Sequence, residues 1–257
     1  MLAPYMQLQA DTIEHTAVFA VELIDPVTLQ VTSRGGTAVT ASFQQAGLWN
    51  KAVNRGSRFV WLVNSDPSTP TAGAVPNSLT VTPPPGSGYA PFTYSAADIA
   101  AGTSTTVGEW GLCRLYLRTT PSYGFPSGVT QLRGLLRQVP DVAGQPIQPL
   151  AGAQVWLQWM DASTNPATAR AGSRCMSGTR GDFAASLVFP TKASKSYPAT
   201  GANGALTLTL YVARLDPVAG WQQAHLVPAQ PNPLGNVLPG QVASLAAPIA
   251  WSNLTAG

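Results

Sequence analysis

Hydrophobic residues recur at every second position in three stretches of the chain, 17–24, 153–159 and 206–212. The recurring residues are, in order, Phe19, Val21 and Leu23; Ala153, Val155, Leu157 and Trp159; and Leu206, Leu208, Leu210 and Val212. Polar residues such as Glu22 and Thr207 occupy alternate positions. Because a strand with one buried face alternates in this way, each stretch is predicted to be a β-strand.

Clusters of Asp, Gly and Pro separate the predicted strands. They lie at Asp25-Pro26, Arg34-Gly35-Gly36, Asp66-Pro67, 83–86, 141–146 and Asp216-Pro217, and such clusters are typical of turns. One short helix is predicted over 95–101, with Ser95 as its N-cap and Asp98 completing a capping box. Strands joined by turns, without helices between them, predict an all-β fold.

The length of 257 residues suits two β-sandwiches, and the order of elements repeats weakly along the chain. Each half runs from a strand through a turn that begins at Asp to a strand led by Gly and Ala, then to a strand that Gly and Phe introduce. We therefore predict a first sandwich over 1–85, an aromatic-rich connector over 86–127 and a second sandwich over 128–228. Residues 229–257 are predicted to form a Pro-rich, extended C-terminal segment.

The second half carries a pattern of glycines and apolar residues that a known family shares. The pieces are Gly134, Val-Ala-Gly-Gln-Pro at 142–146, Leu-Ala-Gly-Ala-Gln-Val-Trp-Leu at 150–157 and Thr-Arg-Gly-Asp-Phe at 179–183. In these residues the chain resembles carboxypeptidase regulatory-like (transthyretin-like) modules, and the first half resembles a degenerate version of them. The resemblance implies two tandem Ig-like/transthyretin-like β-sandwiches that act as scaffolds without catalytic residues. Its pattern also places seven residues in the core of the second sandwich: Val155, Leu157, Trp159, Phe183, Leu187, Leu208 and Leu210.

Charged residues are scarce, at 10% of the chain against about 25% in a typical soluble domain. Helical bundles are excluded because the chain has only three Glu and three Lys. The net charge of +3 and the scattered Arg residues argue against a nucleic-acid partner. No apolar run is long enough to span a membrane, and 1–10 does not resemble a secretory signal. The chain is therefore expected to be made and used without secretion through a membrane, with no membrane partner.

The sequence offers little for catalysis or for metal binding. His15 and His225 are isolated, and neither a Gly-x-Ser-x-Gly motif, a metal-ligand spacing nor a nucleotide-binding glycine motif is present. Asp25 with Thr28 and Asp161 with Asn165 are interpreted as turn formers rather than metal ligands. We therefore predict a protein that is not an enzyme, with no catalytic, metal-binding or cofactor-binding residues and no cofactor.

Cys113 and Cys175 lie far apart in the sequence and form no Cys-x-x-Cys pair. In a protein that is made without secretion, two such cysteines are usually small buried hydrophobic residues. We therefore expect buried free thiols rather than a disulfide.

The low charge favours a chain that buries much of its surface in a larger assembly, because charged side chains normally keep a free surface soluble. Pro-rich stretches at 75–88 and 228–240 are expected to reach neighbouring subunits. Together with the tandem modules, these features resemble structural proteins of bacteriophage tails, baseplates and related contractile injection particles. The resemblance implies that the chain is made in the bacterial cytoplasm and is located in the virion or assembled particle. Its expected partners are other particle proteins or copies of this chain. Tyr123, Trp156 and Trp251 are the candidate interface residues.

An alternative function is that of a carbohydrate-binding or adhesive surface module, since β-sandwiches can display flat aromatic side chains to sugars. The seven Trp residues are Trp49, Trp61, Trp110, Trp156, Trp159, Trp221 and Trp251. Trp156 is the candidate for a glycan contact because it shares a strand face with Gln154 and Gln158. The other interpretation is that Trp156 packs against a connecting segment or a neighbouring subunit.

Overall fold

A computed structural model describes ten parts of the chain: 15–32, 35–43, 53–55, 58–64, 75–104, 112–138, 147–161, 167–187, 203–226 and 234–256. The turns expected at 66–67 and 141–146, and Trp49 and Trp110, lie outside these residues. Within them the chain is mainly β-strand, with one α-helix and one turn of 3-10 helix. The predicted all-β class is thereby confirmed.

The elements of the first part of the chain are β1 (His15–Ile24), β2 (Ala38–Ser42), β3 (Val53–Arg55), β4 (Arg58–Asn64), β5 (Ser78–Thr82), β6 (Tyr89–Ala90), β7 (Phe92–Ser95), α1 (Ala96–Gly102), β8 (Leu112–Tyr116) and β9 (Arg118–Thr119). Those of the second part are β10 (Thr130–Gln138), β11 (Gln148–Pro149), β12 (Gln154–Asp161), β13 (Thr168–Ala171), β14 (Cys175–Met176), β15 (Asp182–Leu187), β16 (Thr209–Asp216), β17 (Gly220–His225), β18 (Val242–Ser244), β19 (Ile249–Ala250), the 3-10 turn Trp251–Asn253 and β20 (Thr255–Ala256).

The chain divides into two compact units, each built from separate segments. Unit 1 comprises Met1–Leu23, Thr32–Val81 and Thr93–Leu115, and unit 2 comprises Ile24–Val31, Thr82–Phe92 and Tyr116–Gly257. The expected connector, 86–127, is divided between them: 93–115 belongs to unit 1, and the rest belongs to unit 2. The first half of the chain therefore contributes segments to both units, so the units do not follow one another in sequence.

Unit 1 contains a four-stranded sheet in the order β3-β4-β1-β8 and a three-stranded sheet in the order β2-β5-β7. Phe19, Val21 and Leu23 of β1 are buried as predicted, but the expected alternation is wrong, because Val18, Glu22 and Ile24 on the other face of the strand are buried as well. Phe19 packs on Trp61 of the antiparallel neighbour β4, with ring centroids 5.5 Å apart. An aromatic pair of this kind contributes about 0.5–1.5 kcal/mol beyond the area that it buries.

The helix α1 begins where the sequence predicts it. The Ser95 Oγ accepts a hydrogen bond from the Asp98 N–H (3.3 Å), and the Asp98 carboxylate accepts one from the Ser95 N–H (3.0 Å). Ile99 is the buried residue of the helix. The capping box satisfies backbone N–H groups that a first helical turn leaves without partners, so the local sequence is sufficient to start this helix.

Unit 2 contains two sheets that share one hydrophobic core. The larger sheet has the order β20-β17-β16-β12-β14-β9-β6, with β13 also paired to β12; the smaller has β11-β10-β15, with β18 and β19 also paired to β10. All seven residues predicted for the second core lie in this cluster. The face of the larger sheet that carries them is its inner face, and the opposite face is called the outer face below.

Two glycines of the module pattern hold positions that no larger residue fits. Gly181 has a φ of +77°, and a Cβ there would clash with the Leu136 carbonyl. A Cβ on Gly134 would lie 2.8 Å from the ring of Phe183, its partner across β10 and β15. The tight turn expected before Phe183 is thereby confirmed, since only Gly adopts such a φ without strain.

Both Pro-rich stretches differ from the free segments that the sequence predicted. In the C-terminal stretch, Leu234, Val237 and Ile249 are buried in the core of unit 2, β18 and β19 run parallel to β10, and β20 pairs with β17. The stretch 75–88 contains β5, whose Leu79 and Val81 are buried. The reason is that apolar residues between the prolines gain more from burial than from exposure.

Candidate functional site

Four flat side chains form a stacked row on the outer face of the larger sheet of unit 2. Trp156 points away from the core because its neighbours Val155 and Leu157 point into it. Tyr211 lies directly opposite Trp156 on β16, and His225 lies opposite Tyr211 on β17. The ring centroids are 5.5 Å and 5.3 Å apart, and the Arg174 guanidinium carbon lies 4.5 Å from the Trp156 ring centroid. These four residues are called the aromatic row.

The aromatic row leaves Trp156 little surface for any ligand. Its side chain lies between Arg174, next to β14, and Tyr211 on β16, because β12 runs between those strands. The residue is only 3% exposed. A sugar needs a free ring face for stacking, so this geometry does not favour Trp156 as a glycan platform. Cation–π and ring contacts instead make the row a brace across three strands.

A cavity of about 180 Å³ opens beside the aromatic row. Its lining includes Gln158, Met160, Thr207, Thr209 and Tyr211. None of the residues that line it carries a charge. Hydroxyls and an amide can exchange hydrogen bonds with a neutral polar ligand, so the cavity suits a small uncharged molecule better than an ion.

Tyr123 lies at a buried carboxylate rather than at the surface. The hydroxyls of Tyr123 and Tyr89 both donate to Asp25 Oδ2, at 2.6 Å and 2.7 Å, while Oδ1 accepts the N–H groups of Val27 (2.8 Å) and Thr28 (3.1 Å). All three side chains that carry this network are buried. The interpretation of Asp25 and Thr28 as a turn is therefore confirmed. The hydroxyl of Tyr123 is bonded inside unit 2.

The Asp25 network keeps its carboxyl group ionised. Burial alone would raise the pKa of Asp25, but the hydrogen bonds from Tyr123, Tyr89 and the two backbone N–H groups outweigh it and lower the pKa. Burial and the bond to Asp25 raise the pKa of Tyr89. A carboxylate held this way joins three segments that are distant in sequence, which is a structural role.

Trp251 packs at the edge of the core of unit 2. Its ring lies 4.6 Å from the guanidinium carbon of Arg214, which also donates from Nε and Nη2 to the Gln222 side chain. The ring packs against the hydrophobic core and is partly buried. Of the three candidate interface residues, Trp251 is therefore the one that keeps accessible surface.

The other buried carboxylates are paired with arginine. Glu22 on β1 accepts from Arg58 Nε (2.8 Å) and Arg114 Nε (3.1 Å), and Asp161 accepts from Arg170 Nε (3.1 Å). Burial would raise the pKa of Glu22, but its bonds to the two arginines lower it. The alternation along β1 could not predict these ion pairs, because the two arginines that bind Glu22 come from two other strands.

The groups that could act in chemistry are dispersed. His225 belongs to the aromatic row, and the imidazole of His15 lies outside the described side chains, as do Glu14 and Glu109. Cys113 and Cys175 are buried free thiols, as expected, and burial raises their pKa to about 11 and about 12. Within the described ranges no cluster of three or more His, Cys, Asp or Glu side chains is arranged to hold a metal ion.

The sequence did not single out the hairpin formed by β16 and β17, whose tip exposes large apolar side chains. Leu215, Val218 and Trp221 are 62%, 97% and 42% exposed. The turn predicted at Asp216-Pro217 is confirmed, since Asp216 Oδ1 accepts the N–H groups of Val218 and Ala219. The sequence did contain a signal for the exposure of Leu215, because the alternation of β16 puts Leu215 on the face opposite the core residue Leu210.

A scan against protein-family models, a search of curated proteins and a search of solved structures all find no match to this chain. Among the described residues, no helix has the length and apolar character needed to cross a membrane.

Proposed function

We propose that this chain is a non-enzymatic structural subunit of a bacteriophage virion, in its tail or baseplate, or of a related contractile injection particle. It acts through contacts with other particle proteins or with copies of itself. The scarcity of charge carries this proposal, because 10% charged residues leave few groups to solvate a free surface.

The placement of the acidic residues supports the proposal. Glu22, Asp25 and Asp161 are buried and bonded within their units, Asp98 caps α1, and Asp216 closes the turn of the β16–β17 hairpin. Carboxylates used in this way hold the fold together.

Exposed apolar side chains support it as well. Among the large hydrophobic residues that reach solvent, Leu215, Val218 and Trp221 lie together on the β16–β17 hairpin. Single exposed residues are ordinary, but groups of them on a weakly charged surface are typical of surfaces that become covered by a partner.

The test is whether the chain is part of a particle. Full-length protein with an affinity tag is produced in cells that carry its gene, and particles are isolated by density-gradient sedimentation and washed in high salt. We expect the chain to sediment with the particles in a fixed ratio to their other proteins. A chain that is monodisperse and monomeric at high concentration, and that no larger particle contains, contradicts the proposal.

Carbohydrate binding is the second candidate, and the uncharged cavity beside the aromatic row favours it. Gln158, Thr207, Thr209 and Tyr211 supply donors and acceptors there. If sugars bind, Gln158→Ala should weaken retention of the full-length protein on a glycan array, while Gln223→Ala on the exposed part of β17 should not. An array that retains neither wild type nor variants removes this candidate.

A further inference from the structure

The β16–β17 hairpin presents a compact apolar knob at one end of the outer face of unit 2. Leu215 and Trp221 are directly opposed across the two strands, and Val218 lies at the tip between them. The Trp221 ring is backed by Phe92, with centroids 6.0 Å apart. We call Leu215, Val218 and Trp221 the hairpin knob.

The hairpin knob is held in one conformation. Asp216 Oδ1 accepts two backbone N–H groups of the turn, at 2.9 Å and 2.8 Å, and the hydrogen bonds from those N–H groups lower the pKa of Asp216. Gly220 supplies the positive φ (+74°) that closes the turn. On the inner face, Arg214 donates twice to Gln222 across the strands. A rigid turn loses little entropy on docking, which favours binding through it.

We infer that the hairpin knob is the contact by which this chain docks into an uncharged apolar groove of a different protein subunit of the particle. This inference rests on the proposed function, and it names the surface and the kind of partner. Rigid apolar residues that fill a groove are the usual anchors of protein interfaces.

The charges around the hairpin knob argue against a lipid surface as its occupant. Segments that insert into membrane interfaces carry Lys or Arg beside their apolar residues, which attract anionic lipids. The only Lys or Arg of the hairpin is Arg214, which lies over Trp251 and is bonded to Gln222. Arg118 lies over the Phe92 ring that backs Trp221, but it is buried and so presents little charge to a partner. The single carboxylate, Asp216, is engaged by the turn. Because the hairpin knob presents no free charge, an uncharged apolar groove is the surface that matches it.

The exposed area argues against a second copy docked tip to tip. The three side chains present roughly 400 Å² of surface, and exposed apolar patches of a few hundred Å² often mark interaction sites. Stable interfaces bury about 800 Å² on each partner. Two knobs facing each other would supply about half of that, whereas a groove that encloses the hairpin would also cover the strands behind it.

The test uses full-length protein in cells that make the particle, with Val218→Asp as the variant. Val242→Asp is the matched control, because Val242 is also a valine exposed on unit 2 (56%) but lies on β18. Far-UV circular dichroism checks that both variants fold, and Leu215→Ser provides a second change in the knob. A benzophenone amino acid in place of Val218 reports by photo-crosslinking which protein the tip touches.

We expect Val218→Asp and Leu215→Ser to lower incorporation into particles at least tenfold and Val242→Asp to leave it within twofold. The crosslink from position 218 should go to one other particle protein. Normal incorporation of the knob variants overturns the inference and leaves the proposed function standing, while absence of the wild-type chain from every particle overturns both. A crosslink to a second copy, or flotation with vesicles of anionic and neutral phospholipid that Val218→Asp abolishes, also overturns it.

Discussion

Replacing Tyr123 by Phe removes one hydroxyl that donates to Asp25 and leaves the packing of the ring intact. Tyr89 and the N–H groups of Val27 and Thr28 still donate to the carboxylate. A hydrogen bond to a charged group contributes about 1.5–3 kcal/mol. We therefore expect Tyr123→Phe to lower the free energy of unfolding of unit 2 by that amount.

A larger loss is expected when the carboxylate itself is removed. Asp25→Ala leaves two buried hydroxyls and a turn without their acceptor, and we expect it to cost about 3–5 kcal/mol. Tyr116→Phe is the control, because Tyr116 is half exposed and exposed positions of this kind usually change stability by less than about 0.5 kcal/mol.

The same network predicts how stability depends on pH. The pKa of Asp25 is lowered in the folded protein from its ordinary value of 3.8, so the unfolded chain binds its proton at a higher pH than the folded protein does. The stabilisation is complete above that ordinary value and is lost as the pH falls below it towards the folded pKa. In Asp25→Asn this contribution to acid sensitivity should be missing.

Amide hydrogen exchange within unit 2 is the appropriate assay, because a chain with two units need not unfold in one step. Peptides from 82–92 and 116–138 report the opening free energy at pH 7 and at intervals down to pH 2.5. If Tyr123→Phe and Tyr116→Phe exchange alike, or if Asp25→Asn keeps the acid sensitivity of wild type, the reasoning about this carboxylate is refuted.

Three further predictions concern unit 2. Trp159→Ala should cost about 3–5 kcal/mol in urea unfolding, since its ring is enclosed by the core; a loss below about 1 kcal/mol would place it outside. Gly181→Ala should destabilise clearly more than Gly152→Ala, because both have a positive φ but only Gly181 meets backbone atoms, and equal losses in thermal unfolding would contradict this. Deleting 234–257 removes three core residues and three strands, so unit 2 should bind the dye ANS and lose near-UV circular dichroism; a cooperatively folded unit 2 would contradict the packing described.

Local features of the fold could be predicted because their cause lies within a few residues. The capping box of α1 needs only Ser95 and Asp98, and the turn at Asp25 needs only its own carboxylate and the next N–H groups. The core positions of β12 followed from alternation alone, because a strand has two faces and only one of them was apolar throughout.

Long-range pairing could not be predicted in the same way. The parallel pairing of β10 with β18 joins residues that are more than a hundred positions apart, as in Gln131 with Val242. The prolines of the C-terminal stretch indicated an extended chain, which is correct for its backbone. No feature of the nearby sequence indicated that Leu234 and Val237 would pack into a core whose other members lie elsewhere in the sequence.

In the candidate site, too, the sequence predicts the strand face on which a side chain lies but not which residues cover it. Alternation correctly placed Trp156 on the outer face, but whether its ring is available depends on Arg174 and Tyr211, which flank it from neighbouring strands. The same alternation puts Leu215 on that face, and there the sheet ends in a turn with no strand beyond it to cover the side chain. An aromatic residue in the middle of a wide sheet is therefore used to brace its neighbours. An apolar residue at a hairpin tip is flanked by fewer strands, so much of its surface stays exposed to solvent.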